Sequence, residues 1–217
     1  MFNFNSQIKE VGTIDVSNVK ESDIKNTVML FSSNIDYAYN TSDVLTRKFI
    51  DALPEEWKND PTVIIDSRVH MLMKGWFSCI PGFHHDDVPR SREDGQPNYI
   101  NPEYKSEHIL CLVNGEICPT EFAIGEAEFE DVPVGGKYYK TWHGVVEKYL
   151  KDGKLARYSA PSNTLVYFDW QTWHQGVRAI KDGWRWFIRA TRNTNRTHKN
   201  EIRRQVQVYL DAPLEGW

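Results

Sequence analysis

The stretch that decides the fold lies late in the chain, where residues 164–191 read TLVYFDWQTWHQGVRAIKDGWRWFIRAT. Two runs rich in aromatic and β-branched residues flank a segment that carries His174 and the turn residues Asp182 and Gly183, so both runs are predicted strands. Alternation along the second run places two sets of side chains on opposite faces: Trp184, Trp186 and Ile188 on one, and Arg185, Phe187 and Arg189 on the other.

The two faces of this second strand make different demands on the fold. The apolar face needs a covering layer, for which a helix that begins at Ser42 is the best candidate. If the other face looks into a barrel, Arg185 and Arg189 are inside it, and a buried guanidinium group is tolerable only when it is paired with an anion. A dicarboxylate ligand would supply that anion. The alternative is a half-exposed strand whose arginines lie in water.

The rest of the chain also favours strands. Helical spacing of apolar residues predicts helices over 42–53 and 142–150, and the first 40 residues are expected to be irregular with a strand or two. Residues 89–107 lack any apolar pattern and predict a long loop. The remaining strands are predicted at 62–65, 69–80, 108–113, 121–124, 155–159 and 205–210. This order predicts a mainly β protein, a sandwich or barrel with one or two buttressing helices.

Length and composition limit the classes of protein to which the chain can belong. The 217 residues, with 40% apolar and 26% charged residues, predict one globular domain over 1–217 and exclude collagen, coiled coil and disorder. No apolar run approaches the roughly 18 residues that cross a bilayer, so no membrane partner is expected. Three cysteines and a polar start without a secretion signal predict a cytoplasmic protein. A net charge of -4 does not favour a protein that coats nucleic acid.

A cluster of possible metal ligands follows the early strands. The sequence His84-His85-Asp86-Asp87 contains two overlapping His-x-Asp pairs. Residues i and i+2 of an extended chain point to the same side, so either pair can present an imidazole and a carboxylate to one metal ion. A polar turn in water is the alternative for a motif this short.

Together with the late strands, this cluster resembles a known family. A His-x-Asp pair, a single later histidine (His174) and an arginine eleven residues beyond it (Arg185) are similar to the iron(II)- and 2-oxoglutarate-dependent oxygenases. The resemblance implies a double-stranded β-helix, or jelly roll, over approximately 62–192, with N-terminal and C-terminal extensions. It also implies that Fe(II) is held by His84, Asp86 and His174.

The resemblance assigns roles to the two arginines and a reaction to the protein. Arg185 would fork onto the distal carboxylate of 2-oxoglutarate, and Arg189 could assist it or hold an anionic substrate. The expected reaction is hydroxylation of an unidentified substrate with release of succinate and CO2. Two other functions stay open: a cupin-like metal-dependent isomerase or other non-oxidative enzyme without 2-oxoglutarate, and a lectin-like β-sandwich that serves as a binding module. The direction of the Arg185 side chain discriminates between the oxygenase and the isomerase, because only the oxygenase needs this charge to face the metal.

The ligand register is also open between His84 with Asp86 and His85 with Asp87. We favour the first pair because Pro81-Gly82-Phe83 leads directly into His84, as in members of the family where Gly-aromatic precedes the ligand.

The other histidines and the basic segment receive structural interpretations. His70 is expected to be a hydrogen-bonded core residue, and His108 and His143 are expected to be surface or capping groups. The basic segment 192–204 is expected to be a solvated face, with the alternative that it steers a phosphate-bearing or nucleic-acid substrate toward the barrel. A small-molecule substrate is favoured over nucleic acid.

Overall fold

Antiparallel strands dominate the computed structural model, which describes residues 1–133 and 135–210. The strands are β1 (Phe2–Ser6), β2 (Ile8–Thr13), β3 (Leu30–Phe31), β4 (Ile64–Leu72), β5 (Glu107–Val113), β6 (Thr120–Phe129), β7 (Ala156–Ser159), β8 (Thr164–Asp169), β9 (Trp173–Gly176), β10 (Gly183–Arg192) and β11 (Glu201–Ile202). The helices are α1 (Glu21–Asn26), α2 (Ile35–Thr41), α3 (Val44–Ala52), α4 (Glu55–Lys58) and α5 (Tyr138–Lys151).

Two main sheets contain nine of the strands, and β3 and β11 form a separate two-stranded sheet. The larger sheet has the order β2-β8-β5-β10-β4, and the smaller sheet joins β1, β6 and β7, with β9 also paired to β6. From β4 onward the chain crosses between the sheets, returning to the larger one at β5, β8 and β10. The segment around His84 adds to the smaller sheet by bridging to His174. This crossing pattern is a jelly roll, which confirms the predicted mainly β, double-stranded β-helix fold.

Strand β10 separates an apolar core from the interior of the barrel. Trp186 and Ile188 are fully buried in the same core cluster as Phe49 and Ile50 of α3, as the alternation predicted. Each such large side chain contributes about 1.5–3 kcal/mol through burial of apolar surface. The opposite face of β10 carries Arg185, Phe187 and Arg189, and all three line an internal cavity.

Both predicted helices are present, each against one sheet. Asp43 caps α3 by accepting a hydrogen bond from the Leu45 N–H (3.3 Å), and the helix ends before Pro54. α5 packs Trp142 against the smaller sheet, among aromatic side chains that include Phe129 and Trp173. The two predicted buttressing helices are therefore confirmed, and the structure adds three short helices, α1, α2 and α4, which have no long amphipathic pattern. None of the helices in the described ranges combines the length and apolar character that a bilayer crossing needs.

Three strand predictions are wrong in detail. A single strand, β4, replaces the predicted 62–65 and 69–80, because the polar residues in its middle are satisfied within the fold. Asp66 accepts a hydrogen bond from the Ser32 N–H (3.0 Å), and Ser67 Oγ accepts one from the Leu30 N–H (2.8 Å). The predicted strand 205–210 is reduced to one bridge, between Tyr209 and Phe77.

Candidate metal centre

The main chain brings His84 and His174 to the same place. His84 lies opposite His174 in an antiparallel bridge, and each N–H donates to the carbonyl of the other residue, with N···O distances of 3.0 and 3.1 Å. Side chains opposite one another in such a pair project from the same face of a sheet. Two imidazoles that are ninety positions apart in sequence therefore enter the barrel together.

Asp86 completes a cluster with these two histidines. His174 Nε2 lies 3.2 Å from Asp86 Oδ2, and His84 Nε2 lies 3.7 Å from Asp86 Oδ1. One ligand atom from each of the three residues lies within 4.8 Å of the others, close enough for one metal ion. Two imidazoles and one carboxylate are the donor set of non-haem Fe(II) sites that keep open coordination positions.

Hydrogen bonds to the far ring nitrogens prepare both histidines for this role. His84 Nδ1 lies 2.8 Å from the Gly82 carbonyl oxygen, and His174 Nδ1 lies 2.9 Å from the Thr172 carbonyl oxygen. A carbonyl oxygen can only accept, so each Nδ1 carries the proton and each Nε2 keeps its lone pair. The lone pairs then face Asp86, and the residues present fit Fe(II).

The charges of the cluster also suit a cation. Burial and the nearby His174 lower the pKa of His84 to about 4, so its imidazole is neutral at neutral pH. Burial alone would raise the pKa of Asp86, but the Arg189 guanidinium, which forms an ion pair with this carboxylate, holds the pKa well below its usual range. Asp86 is therefore ionised, as a ligand must be.

The other His-x-Asp register faces away from this cluster. The His85 ring packs against Trp173, with ring centroids 3.7 Å apart, and its Nδ1 lies 2.7 Å from the Tyr99 hydroxyl. Asp87 adopts a positive φ of 52°, which turns the chain after the motif. His85 and Asp87 line a separate surface cavity on the other side of the motif.

Helix α5 supports the motif through a residue whose role the sequence did not reveal. His143 Nδ1 accepts a hydrogen bond from the Phe83 N–H (3.1 Å), immediately before His84. The Tyr139 ring lies one turn earlier on the same helix, with its centroid 6.2 Å from that of His84. The prediction that His143 is a surface or capping group is wrong; its i, i+4 spacing with Tyr139 was the available signal.

The triad opens into an internal cavity of about 1160 Å³. Arg185 projects into this cavity and is only 2% exposed. Its single hydrogen bond is a long one, 3.5 Å, to the Thr120 hydroxyl, and Arg185 has no acidic partner among residues 1–133 and 135–210. Arg189 lines the same cavity but is already paired with Asp86.

Two further histidine predictions are corrected. His108 is buried, not on the surface, and lies between the hydroxyls of Ser106 (3.1 Å) and Thr191 (3.0 Å). His70 is buried as expected, but it lines the cavity, and neither ring nitrogen has a hydrogen-bonding partner in the described part of the chain. Its position on β4, directly opposite Arg185, explains this difference.

The basic segment 192–204 is folded onto the larger sheet. Arg192 pairs with Glu107 (2.7 Å), and Arg196 pairs with Asp66 (2.7 Å). The prediction of a solvated basic face is wrong for these arginines, because acidic groups of β4 and β5 bind them. The chain continues along residues 201–209, which we name the strap and which line the cavity. Backbone hydrogen bonds hold the strap at β3 and, through Tyr209, at Phe77 (2.8 and 3.0 Å).

Comparisons with known proteins give only remote likenesses. No protein-family model and no curated protein matches the chain. An N-substituted L-amino acid dioxygenase from Burkholderia ambifaria AMMD, solved in complex with alpha-KG, is 10% identical to this chain with a TM-score of 0.31. The match covers 58% of this chain and 46% of the dioxygenase chain, so it spans less than half of the dioxygenase. HygX from Streptomyces hygroscopicus, solved with iron bound, is 10% identical with a TM-score of 0.38, over 89% of this chain and 85% of that one. The fold assignment therefore rests on the strand order described above.

Proposed function

We propose that the protein is an Fe(II)- and 2-oxoglutarate-dependent oxygenase that hydroxylates a small-molecule substrate. The observation that carries this proposal is Arg185, a buried cation that no acidic side chain of the described residues pairs with, in the same cavity as His84, Asp86 and His174. A buried guanidinium group without a counter-ion is costly, so an anionic ligand is expected beside it. A dicarboxylate that reaches from the metal to Arg185 satisfies both groups.

Each residue has a distinct task in this proposal. His84, Asp86 and His174 would hold the metal on one side and leave adjacent positions for ligands. Arg185 would bind the distal carboxylate of 2-oxoglutarate through two charge-assisted hydrogen bonds, and the Thr120 hydroxyl is placed to add a third. When bound, Fe(II) with dioxygen and 2-oxoglutarate supplies the oxidation that hydroxylates the substrate and yields succinate and CO2.

The remaining residues control geometry and charge. Arg189 holds the Asp86 carboxylate from the side and keeps it ionised, while the backbone carbonyls of Gly82 and Thr172 fix the imidazole tautomers. The walls of the barrel shield the two imidazoles from bulk water, because His84 and His174 are each less than 10% exposed, whereas the Asp86 carboxylate keeps some exposure toward the cavity. A cupin-like isomerase would use the same ligands but would leave the Arg185 charge without a partner.

Anaerobic spectroscopy tests this proposal directly. Purified protein with Fe(II) and 2-oxoglutarate is expected to develop the visible charge-transfer band of a chelated 2-oxo acid, and His174→Ala is expected to abolish it. His198→Ala is the matched control, because His198 is exposed and bonds the Val63 carbonyl on the outside of the fold. If iron-loaded protein shows no band with 2-oxoglutarate, the isomerase becomes the better hypothesis.

A further inference from the structure

The cavity carries more positive charge than the metal and 2-oxoglutarate require. Its lining includes the guanidinium groups of Arg68, Arg185, Arg189, Arg203 and Arg204. Only two carboxylates, those of Asp86 and Glu201, line it as well, which leaves a surplus of three positive charges. Fe(II) and the 2-oxoglutarate dianion have opposite charges of equal size, so their binding leaves this surplus unchanged.

Two of these arginines already have acidic partners and account for part of the surplus. Arg189 is paired with Asp86, and Arg203 lies 3.7 Å from Asp66, just outside the cavity lining. Arg204 is on the exposed side of the strap, where water can solvate it. Arg68, which is partly buried, and the buried Arg185 remain without an ion pair to any acidic side chain in the described ranges, although the Asp66 and Asp86 carboxylates act on Arg68 from a distance.

Arg68 is placed to bind a ligand of its own. It lies on β4 directly opposite Phe187 of β10, and its guanidinium carbon is 5.8 Å from the centroid of the Phe187 ring. The Arg185 guanidinium carbon lies at the same distance, 5.8 Å, from that ring. Arg68 makes no hydrogen bond or ion pair with any described residue, so all five of its N–H donors are available.

His70 adds an uncommitted polar group beside Arg68. The two residues are separated by one position on β4 and therefore share the face that looks into the cavity. His70 is 1% exposed, and within the described ranges neither ring nitrogen makes a hydrogen bond of normal geometry, although the Gln207 backbone of the strap lies beside the ring. A neutral imidazole offers one donor and one acceptor, so His70 can bind a polar group next to the anion that Arg68 would hold.

We infer that Arg68 and His70 form a second anion site, which binds the carboxylate of the primary substrate. The substrate class is a small organic acid, held at Arg68 while its other end approaches the metal cluster. The cavity is larger than the usual upper range of about 1,000 Å³ for small-molecule pockets, so it has room for two ligands. The inference rests on the proposed function in assigning Arg185 to 2-oxoglutarate and in treating the bound acid as the substrate.

The test compares two arginine variants with two kinds of ligand. The probes are matched pairs of a carboxylate and its amide, namely hexanoate with hexanamide and phenylacetate with phenylacetamide, titrated by ligand-observed NMR into protein with Fe(II) and saturating 2-oxoglutarate under anaerobic conditions. At least one carboxylate is expected to bind at least tenfold more tightly than its amide. Arg68→Gln is expected to remove that preference, while the affinity for 2-oxoglutarate, read from the charge-transfer band, changes less than threefold. Arg185→Gln is expected to weaken 2-oxoglutarate instead.

The outcomes separate this inference from the proposed function. Equal binding of acids and amides, no binding of either acid below 10 mM, or an unchanged preference in Arg68→Gln would overturn the second anion site. A missing charge-transfer band would overturn the proposed function. In that case the acids are titrated into metal-free protein. Loss of acid binding in Arg68→Gln but not in Arg185→Gln then supports the second anion site, and loss in Arg185→Gln but not in Arg68→Gln overturns it. Arg68→Lys, which keeps the charge, and the thermal unfolding of each variant show whether the protein has stayed folded. Arg47→Gln on the exposed face of α3 is the control.

Discussion

His84 and His174 donate their main-chain N–H groups to each other's carbonyl oxygens, so the backbone itself fixes the separation of the two imidazoles. Each ring is also anchored at Nδ1 by a second carbonyl, from Gly82 or Thr172. Little rotation is left to either side chain. The site is therefore preorganised for a metal ion, and its properties should depend on backbone contacts around the triad as well as on the triad itself.

The ligand register can be checked with two neighbouring carboxylates. Asp86→Asn is expected to lower the affinity for Fe(II) at least a hundredfold, because it removes the anionic ligand. Asp87→Asn is expected to change the affinity less than fivefold, since Asp87 faces the separate surface cavity. Competition with a coloured chelator measures both. A larger loss for Asp87→Asn would mean that the ligands are His85 and Asp87.

The hydrogen bond from Phe83 to His143 predicts an effect from outside the triad. His143→Leu removes the acceptor for the Phe83 N–H and is expected to lower Fe(II) affinity on the order of tenfold, near the lower end for residues that orient metal ligands. His143→Gln, whose amide oxygen can accept the same bond, is expected to restore most of that loss. Equal affinities in both variants and the native protein would exclude a positioning role.

The bidentate hydrogen bonding expected of the Arg185 guanidinium group can be tested separately from its positive charge. Arg185→Lys keeps one positive charge but loses the planar fork, so the affinity for 2-oxoglutarate is expected to fall on the order of tenfold to a hundredfold. The charge-transfer band gives the affinity under anaerobic conditions. Arg47→Lys on the surface of α3 is the control. An unaltered affinity in Arg185→Lys would transfer this role to Arg189.

The packing of α3 against the larger sheet predicts a large loss of stability. Phe49 is fully buried between α3 and the sheet, and Phe49→Ala is expected to reduce the free energy of unfolding by about 3–5 kcal/mol. Val44→Ala on the exposed side of the same helix is expected to change it by less than about 0.5 kcal/mol. Equilibrium urea denaturation measures both. Similar values for the two variants would contradict the covering role of α3.

The buried neutral His70 predicts a loss of stability in acid. Burial and the nearby Arg185 lower the folded-state pKa of His70 to about 3, whereas an unfolded histidine titrates near 6.5. The unfolded chain therefore binds one more proton between these values, so stability falls as the pH drops below about 6.5. His70→Gln is expected to reduce the slope of unfolding free energy against pH by up to about 1.4 kcal/mol per unit between pH 6 and 4. His198→Gln provides the comparison, and an equal slope in both variants would contradict a neutral His70.

The alternation of β10 and the His-x-Asp motif allowed the sequence to predict much of this architecture. Period-two alternation depends only on local backbone geometry, so the split between Trp186 and Arg185 could be read directly. The packing of α3 followed because its apolar spacing is also local. These patterns predicted a β sandwich or barrel, and the resemblance to the oxygenase family then implied the jelly roll and named His84, Asp86 and His174, which the structure brings together.

The residues that the sequence misread have partners far away in the chain. His143 faces Phe83 across sixty positions, and Arg196 pairs with Asp66 across 130 positions. No local pattern reports such partners. The same reason explains why the sequence made no prediction for Arg68, since nothing near it in sequence shows that β4 and β10 place a cavity beside it.

The alternation along β10 places residues that stabilise the fold and residues that line the cavity on the same strand. A slip of one residue in the pairing of β10 with β4 and β5 would shift every side chain of the strand to the opposite face. Both arginines would then enter the apolar layer beneath α3, and the tryptophans would fill the cavity. The side chains that pack beneath α3 and the side chains that face the metal cluster are therefore kept in place by one and the same strand register.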